Sequence, residues 1–229
     1  MSYFSARPPG RPATAKPAKS TGAFNALKRD ILLGALPAGT ALTELDLAAH
    51  FGCSQGTVRE ALLQLQEEGL VLRQGHRGTQ VSACTEDEAV EMFRVRQQVE
   101  CNGIVRVLKA PSRTLIKDLH QLFEDMQEAA RQDDELELAS FDRDFHRRIF
   151  QDANLPALDP ILHRCLVHNH RFKISRSTTP RDLMATALRH GSIIEAIESG
   201  DAARATAALH HHIATIVDLG PDVFPDASQ

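Results

Sequence analysis

Asp142 and His146 stand four residues apart in a stretch of helical period, so their side chains leave one helix face about a turn from each other. His190 lies ten residues before Gly200 and His212 twelve after it. Gly200 reads as the turn between two helices. At ~1.5 Å per residue, both histidines then sit at nearly the same height on antiparallel neighbours. One carboxylate-imidazole pair facing one imidazole pair gives three nitrogen donors and one oxygen donor, a set that suits a divalent transition metal. Further coordination positions would go to water or a ligand. Each histidine taken singly also reads as a surface or satisfied core residue, and His210 and His211 beside His212 as a polar tract. Spacing alone leaves both readings open.

Helices must carry these residues, and from Thr85 onward apolar residues recur at helical spacing while strand signals vanish. Six helices are expected, approximately Glu86 to Lys109, Ser112 to Gln132, Asp134 to Gln151, Leu155 to Ser175, Pro180 to Ser199 and Asp201 to Leu219. Breaks fall at Ala110-Pro111, Asp133, Asn154 to Pro156, Thr178 to Pro180 and Gly200. Short connections make neighbours antiparallel, giving a bundle. Two polar residues interrupt its apolar faces: Arg96 on the stripe Ala89, Phe93, Gly103, Val107, and Asn169 on the stripe Leu158, Leu162, Cys165, Phe172. A buried guanidinium needs an anion, and a metal with open positions binds carboxylate oxygen. Together they describe a pocket for a small organic acid. An ion pair of Arg96 with Glu100 is the alternative for that residue. His163, His168 and Glu100 carry no stronger signal.

Ahead of the bundle, Thr43 to Val81 reads as helix, Gly turn, second helix and Gly-studded hairpin, the order of a winged helix-turn-helix. Leu45, Leu47, Ala48 and Phe51 carry the first helix, and Gly52 allows its tight exit. Ser54 is placed as an N-cap for a helix running through Val58, Ala61, Leu62 and Leu65 to Glu68. Those apolar residues face a small core, which leaves Gln55, Gly56, Thr57, Arg59 and Glu60 near an amide-rich, positive helix end. Gln55 suits adenine in a major groove, Thr57 a base or phosphate, and Arg59 a phosphate or guanine. Two short strands, Leu70 to Leu72 and Gln80-Val81, flank a wing loop whose His76 and Arg77 suit backbone or minor-groove contact. A solvated helix face and an ordinary hairpin are the alternative.

The fold class is therefore mainly α: an N-terminal winged helix-turn-helix and a C-terminal antiparallel six-helix bundle. The expected boundaries are a basic disordered tail at 1–22, a DNA-binding domain at 23–83, a helical domain at 84–220 and a tail at 221–229. At 229 residues, with 42% hydrophobic and 24% charged residues, the chain suits two soluble domains with their own cores. Residues 1–82 hold nine Lys or Arg against six Asp or Glu, while residues 83–229 hold seventeen against twenty-four. The acid-free stretch before Asp30 reads either as a basic arm attracted to DNA or as an unstructured extension. No secretory signal or spanning segment is legible, and the four scattered cysteines fit reduced thiols in the cytoplasm.

The segments Ile31 to Thr40, Phe51 to Leu62 and Glu68 to Val71 resemble the N-terminal domain of GntR-type bacterial transcription regulators. In that family an Arg commonly follows the capping Ser and contacts a base, with Thr-Pro next. Here the residues are Gln55 and Gly56-Thr57, so the operator preference does not carry over. The pattern Asp142-x-x-x-His146, His190-x-x-Ile193-x-x-Ala196-Ile197-x-x-Gly200-Asp201 and His212 is similar to the FCD ligand-binding domain of the FadR branch. The resemblance implies a divalent ion, zinc or nickel, held by Asp142, His146, His190 and His212. Six helices rather than seven resemble the VanR-type subgroup. The implied function is a homodimeric repressor that binds palindromic operator DNA and responds to a small carboxylate at the metal. A direct metal sensor, or a metal-dependent enzyme fused to a DNA-binding module, are the alternatives. The enzyme reading lacks an evident general base.

Overall fold

The computed structural model describes residues 19–73, 75, 78–176 and 181–214. The chain divides into two compact units, Met1–Ala83 and Cys84–Gln229. The basic stretch up to residue 18, Gln74, the wing residues His76 and Arg77, and the tail from residue 215 lie outside the described residues.

The first unit opens with α1 (Lys19–Leu32), in which Ala23, Leu27 and Ile31 recur every fourth residue and are fully buried. That helix begins inside the stretch expected to be tail. It packs on α3 (Gln55–Glu67), and Lys28 Nζ reaches Glu68 Oε1 at 2.7 Å to tie the two together. Thr43 caps α2 (Glu44–Phe51) through the amide of Asp46, and Gly52 ends it at φ 61°, where a Cβ would be strained. Ser54 caps α3 by accepting from Thr57 N at 3.1 Å. Val58, Ala61, Leu62 and Leu65 form the buried stripe of α3.

The wing is a three-stranded antiparallel sheet rather than a two-stranded hairpin. β1 (Ala41–Leu42) pairs with β3 (Thr79–Val81), which pairs in turn with β2 (Val71–Arg73), in the order β1-β3-β2. Two residues are too short for a period-2 pattern, which is why β1 left no signal in the sequence.

The second unit is helical throughout its described residues: α4 (Glu86–Val107), α5 (Leu115–Arg131), α6 (Glu135–Gln151), α7 (Asp159–Arg176), α8 (Leu183–Leu188), α9 (Gly191–Glu198) and α10 (Ala202–Ala214). A capping box of Thr85 and Glu88 starts α4. Asp133 and Asn154 take positive φ at the exits of α5 and α6. The core is built from Ile104, Leu119, Phe145, Ile149, Phe150, Leu162, Leu166, Ile193, Ile197 and Leu209. No helix among the described residues is long and apolar enough to cross a membrane.

Where one helix was expected from Pro180 to Ser199, two segments are present. The break falls at Arg189 and His190, where His190 N bonds Ala187 O at 3.2 Å in a tightened turn and His190 becomes the residue preceding α9. Seven helical segments therefore stand among the described residues of this unit in place of six.

Candidate functional site

Asp142 and His146 leave the buried face of α6, His190 comes from the α8–α9 break, and His212 from α10. Each offers a ligand atom, and these atoms all lie within 4.8 Å of one another. All four residues are buried. The His190 and His212 rings sit 4.5 Å apart, centroid to centroid, and His146 and His212 5.1 Å apart.

Hydrogen bonding fixes which nitrogens can act as donors to a metal. His146 Nδ1 meets Glu100 Oε2 at 2.6 Å, and a carboxylate can only accept, so Nδ1 carries the proton and Nε2 keeps its lone pair. His190 Nδ1 meets the carbonyl of Ala187 at 3.1 Å, with the same consequence for its Nε2. That Nε2 stands 3.1 Å from Asp142 Oδ1, a pair that a shared cation, whether a proton or a metal ion, would satisfy. His146 Nε2 and His212 Nδ1 are also buried without a hydrogen-bond partner. Unpartnered buried ring nitrogens gathered in one place are costly unless something satisfies them, and the His146 lone pair calls for a cation.

The protonation states agree with this. Burial pushes His146 down against the pull of Glu100, and burial with His190 and His146 alongside holds His212 well below its ordinary value. Burial would raise Asp142, but the imidazoles of His170 and His190 outweigh it and hold its carboxyl well below the usual range. Burial likewise works against Glu100, and Arg96 and His146 bring it down to about 2. Imidazoles neutral and carboxylates ionised are the forms that ligate metals. The donor set fits a divalent ion such as zinc or nickel. Two donors each ~2.1 Å from one ion stand at most ~4.2 Å apart, so the set needs to close by roughly half an ångström.

Arg96 is 1% exposed, and its Nε donates to Glu100 Oε1 at 2.5 Å. Its Nη2 is buried without a partner. The ion pair and the inward-facing donor, posed as alternatives from the sequence, coexist because the fork has more than one edge. Asn169 is 0% exposed, and neither its Oδ1 nor its Nδ2 has a hydrogen-bond partner.

Two residues here escaped sequence reasoning. His170 Nε2 lies 3.0 Å from Asp142 Oδ2, and burial, opposed by Asp142, pushes its imidazole down to about 3. Lys173 follows one turn later and is buried. Both lie on α7, whose residues from Cys165 to His170 are all buried, so no periodicity marks an inner face. The polar run His168-Asn169-His170 inside such a helix was the available signal. A surface cavity of about 320 Å³ lined by Phe150, Gln151, Asn154, Leu155, Pro156 and Asp159 shares no residue with the cluster.

On the first unit, Ser54, Gln55, Gly56 and Arg59 are exposed at the start of α3, and Thr57 is half-buried. Arg59 is engaged by Glu44 of α2: its Nε meets Oε1 at 3.0 Å and its Nη2 meets Oε2 at 2.6 Å. Arg73 of β2 reaches the same carboxylate at 3.3 Å. Glu44 thereby ties Arg59 of α3 to the start of α2, a contact between residues fifteen apart that sequence did not indicate.

Comparison with known proteins agrees with this division. Residues 19–81 match bacterial regulatory proteins of the gntR family, and residues 91–215 match the FCD domain. The chain is 32% identical over 187 residues to the "Probable D-xylose utilization operon transcriptional repressor" of Paenarthrobacter nicotinovorans, covering 81% of each chain. It is 28% identical to the gluconate operon transcriptional repressor of Bacillus subtilis, over 86% of this chain and 83% of that one. Among solved structures, E. coli McbR/YncC shares the fold with a TM-score of 0.69 at 21% identity, over 86% of this chain and 94% of that one. On two matched domains and a relative above 30% identity, the chain belongs to the GntR family of bacterial regulatory proteins and carries an FCD domain.

Proposed function

We propose that this chain is a transcriptional repressor whose FCD domain holds a divalent metal at Asp142, His146, His190 and His212 and binds a small carboxylate there to control operator affinity. The observation that carries the reading is the convergence of four buried ligand atoms, with His146 and His190 held in tautomers that leave their Nε2 lone pairs free. A bound ion supplies Lewis-acid ligation of a carboxylate oxygen. Arg96 Nη2 and the Asn169 amide, both buried and unpartnered, are the groups to orient that acid. Operator recognition falls to Ser54, Gln55, Gly56, Thr57 and Arg59, with His76 and Arg77 of the wing. A homodimer reads two half-sites related by its two-fold axis. Repression follows the printed roles of the two curated relatives, and the gluconate operon named for one of them motivates sugar acids as candidates. The role is regulation in the cytoplasm rather than turnover.

The test is selection of bound duplexes from a random pool by the metal-loaded full chain, followed by release with a panel of carboxylates. A two-fold-related sequence, released by an acid, with His190→Ala retaining DNA binding but losing the response, is expected. An unaltered response in His190→Ala overturns the reading. Release by metal alone makes the protein a direct metal sensor instead.

A further inference from the structure

Lys173 is 6% exposed on α7 and has no hydrogen-bond or ion-pair partner among the described residues. Its position ties it to the metal cluster. It stands four residues after Asn169 and three after His170, so it shares a helix face with both. His170 in turn touches Asp142.

The charges that act on Lys173 are those of Asp142, Arg96, Arg181 and Arg189, one acid against three bases. Only Asp142 is an anion, so it is the one candidate counter-ion among them. Arg96 is occupied by Glu100, Arg181 by Glu135 at 2.7 Å, and Arg189 donates to the carbonyl of His212 at 3.0 Å. Asp142 has its two oxygens beside His170 and His190, and a metal ion would take up its charge. Burial accordingly pushes the Lys173 ammonium down to about 7. With a divalent ion in place and Lys173 protonated, Arg96, Lys173 and the ion against Glu100 and Asp142 leave two positive charges, and a monoanion answers only one of them.

Building on the proposed metal and acid site, we infer that the effector is an acid with two anionic groups, one ligating the metal beside Arg96 and Asn169 and the other paired with Lys173. Asn169 and Lys173 are separated by ~6 Å along α7, a span that a four- to six-carbon skeleton bridges. The second group is a carboxylate or a phosphate, since both satisfy a buried ammonium.

Isothermal titration of the metal-loaded full chain with matched acids tests this: butyrate against succinate, and gluconate against glucarate and 6-phosphogluconate. At least one acid with two anionic groups is expected to bind ten-fold or more tighter than its match with one. Glucarate alone or 6-phosphogluconate alone identifies the second group. Lys173→Met is expected to abolish the gap and Lys173→Arg to keep it. Equal affinities within each set, no binding of any acid with two anionic groups at 10 mM (~100 times a 0.1 mM Kd), or a gap that survives Lys173→Met overturns the inference. Metal content read in the same samples separates this failure from failure of the metal site. If Lys173→Met does not fold, the wild-type comparison alone decides.

Discussion

Glu100→Gln should cripple metal binding without touching a ligand. Glu100 receives His146 Nδ1 on Oε2 at 2.6 Å and Arg96 Nε on Oε1 at 2.5 Å, so both of its oxygens act as acceptors. A glutamine has one acceptor and one donor end. With its oxygen toward Arg96, the amide donates to His146 Nδ1, which moves the ring proton to Nε2 and blocks the ligating lone pair. With its oxygen toward His146, the amide faces the Arg96 guanidinium, donor against donor. Loss of such an outer partner lowers metal affinity ~10- to 100-fold, or ~1.4 to 2.7 kcal/mol. The guanidinium, 1% exposed and deprived of its carboxylate, costs the fold a further ~3–5 kcal/mol. Chelator competition reads the first quantity and urea denaturation of metal-free protein the second. Affinity within two-fold of wild type would refute the reasoning that Glu100 sets the His146 tautomer.

Three further outcomes are expected. The metal-stripped protein should lose stability between pH 7.5 and 5.5, because His146, His170 and His212 titrate lower when folded than the ordinary 6.5. The unfolded chain then binds protons that the folded one refuses, so the contribution is full above 6.5 and falls with pH, by ~1.4 kcal/mol at pH 5.5 from His170 alone. A flat urea midpoint across that range would contradict it. Gly103→Ala places a Cβ 2.7 Å from Phe150 Cε2, and Phe150 is itself core. Overpacking of ~1–3 kcal/mol outweighs the ~1 kcal/mol helix gain of Ala over Gly, so denaturation should show net destabilisation rather than a gain. Arg59→Ala frees Glu44 on an exposed surface and should leave the melting temperature nearly unchanged while weakening operator binding ~5- to 150-fold if Arg59 reads a base. Unchanged affinity in an anisotropy titration would remove it from the interface.

What sequence could show depended on how far each signal was local. Caps and glycines are local chemistry, so Ser54, Gly52 and the Thr85 start of α4 are readable and present. The placement of His190 and His212 at one height followed from counting along antiparallel helices, and their rings are 4.5 Å apart. The His190 break itself was not legible, because Arg189 and His190 both keep right-handed helical backbone angles and neither is a helix breaker by type. Glu100 was legible as the i,i+4 ion-pair partner of Arg96, and it is that partner, but its contact with His146 was not, since forty-six residues separate them. His170 and Lys173 were hidden for a different reason: α7 is buried on all sides from Cys165 to His170, so there is no polar face there against which an inward polar residue stands out.

Metal content of the purified full chain, measured by elemental analysis for wild type beside His146→Ala and without nickel-affinity purification, tests the central claim most directly. About one divalent ion per chain in the wild type, lost in His146→Ala, is the expected result for a site made by Asp142, His146, His190 and His212. The same content in both proteins, or none in either after supplementation with zinc and nickel, would contradict it.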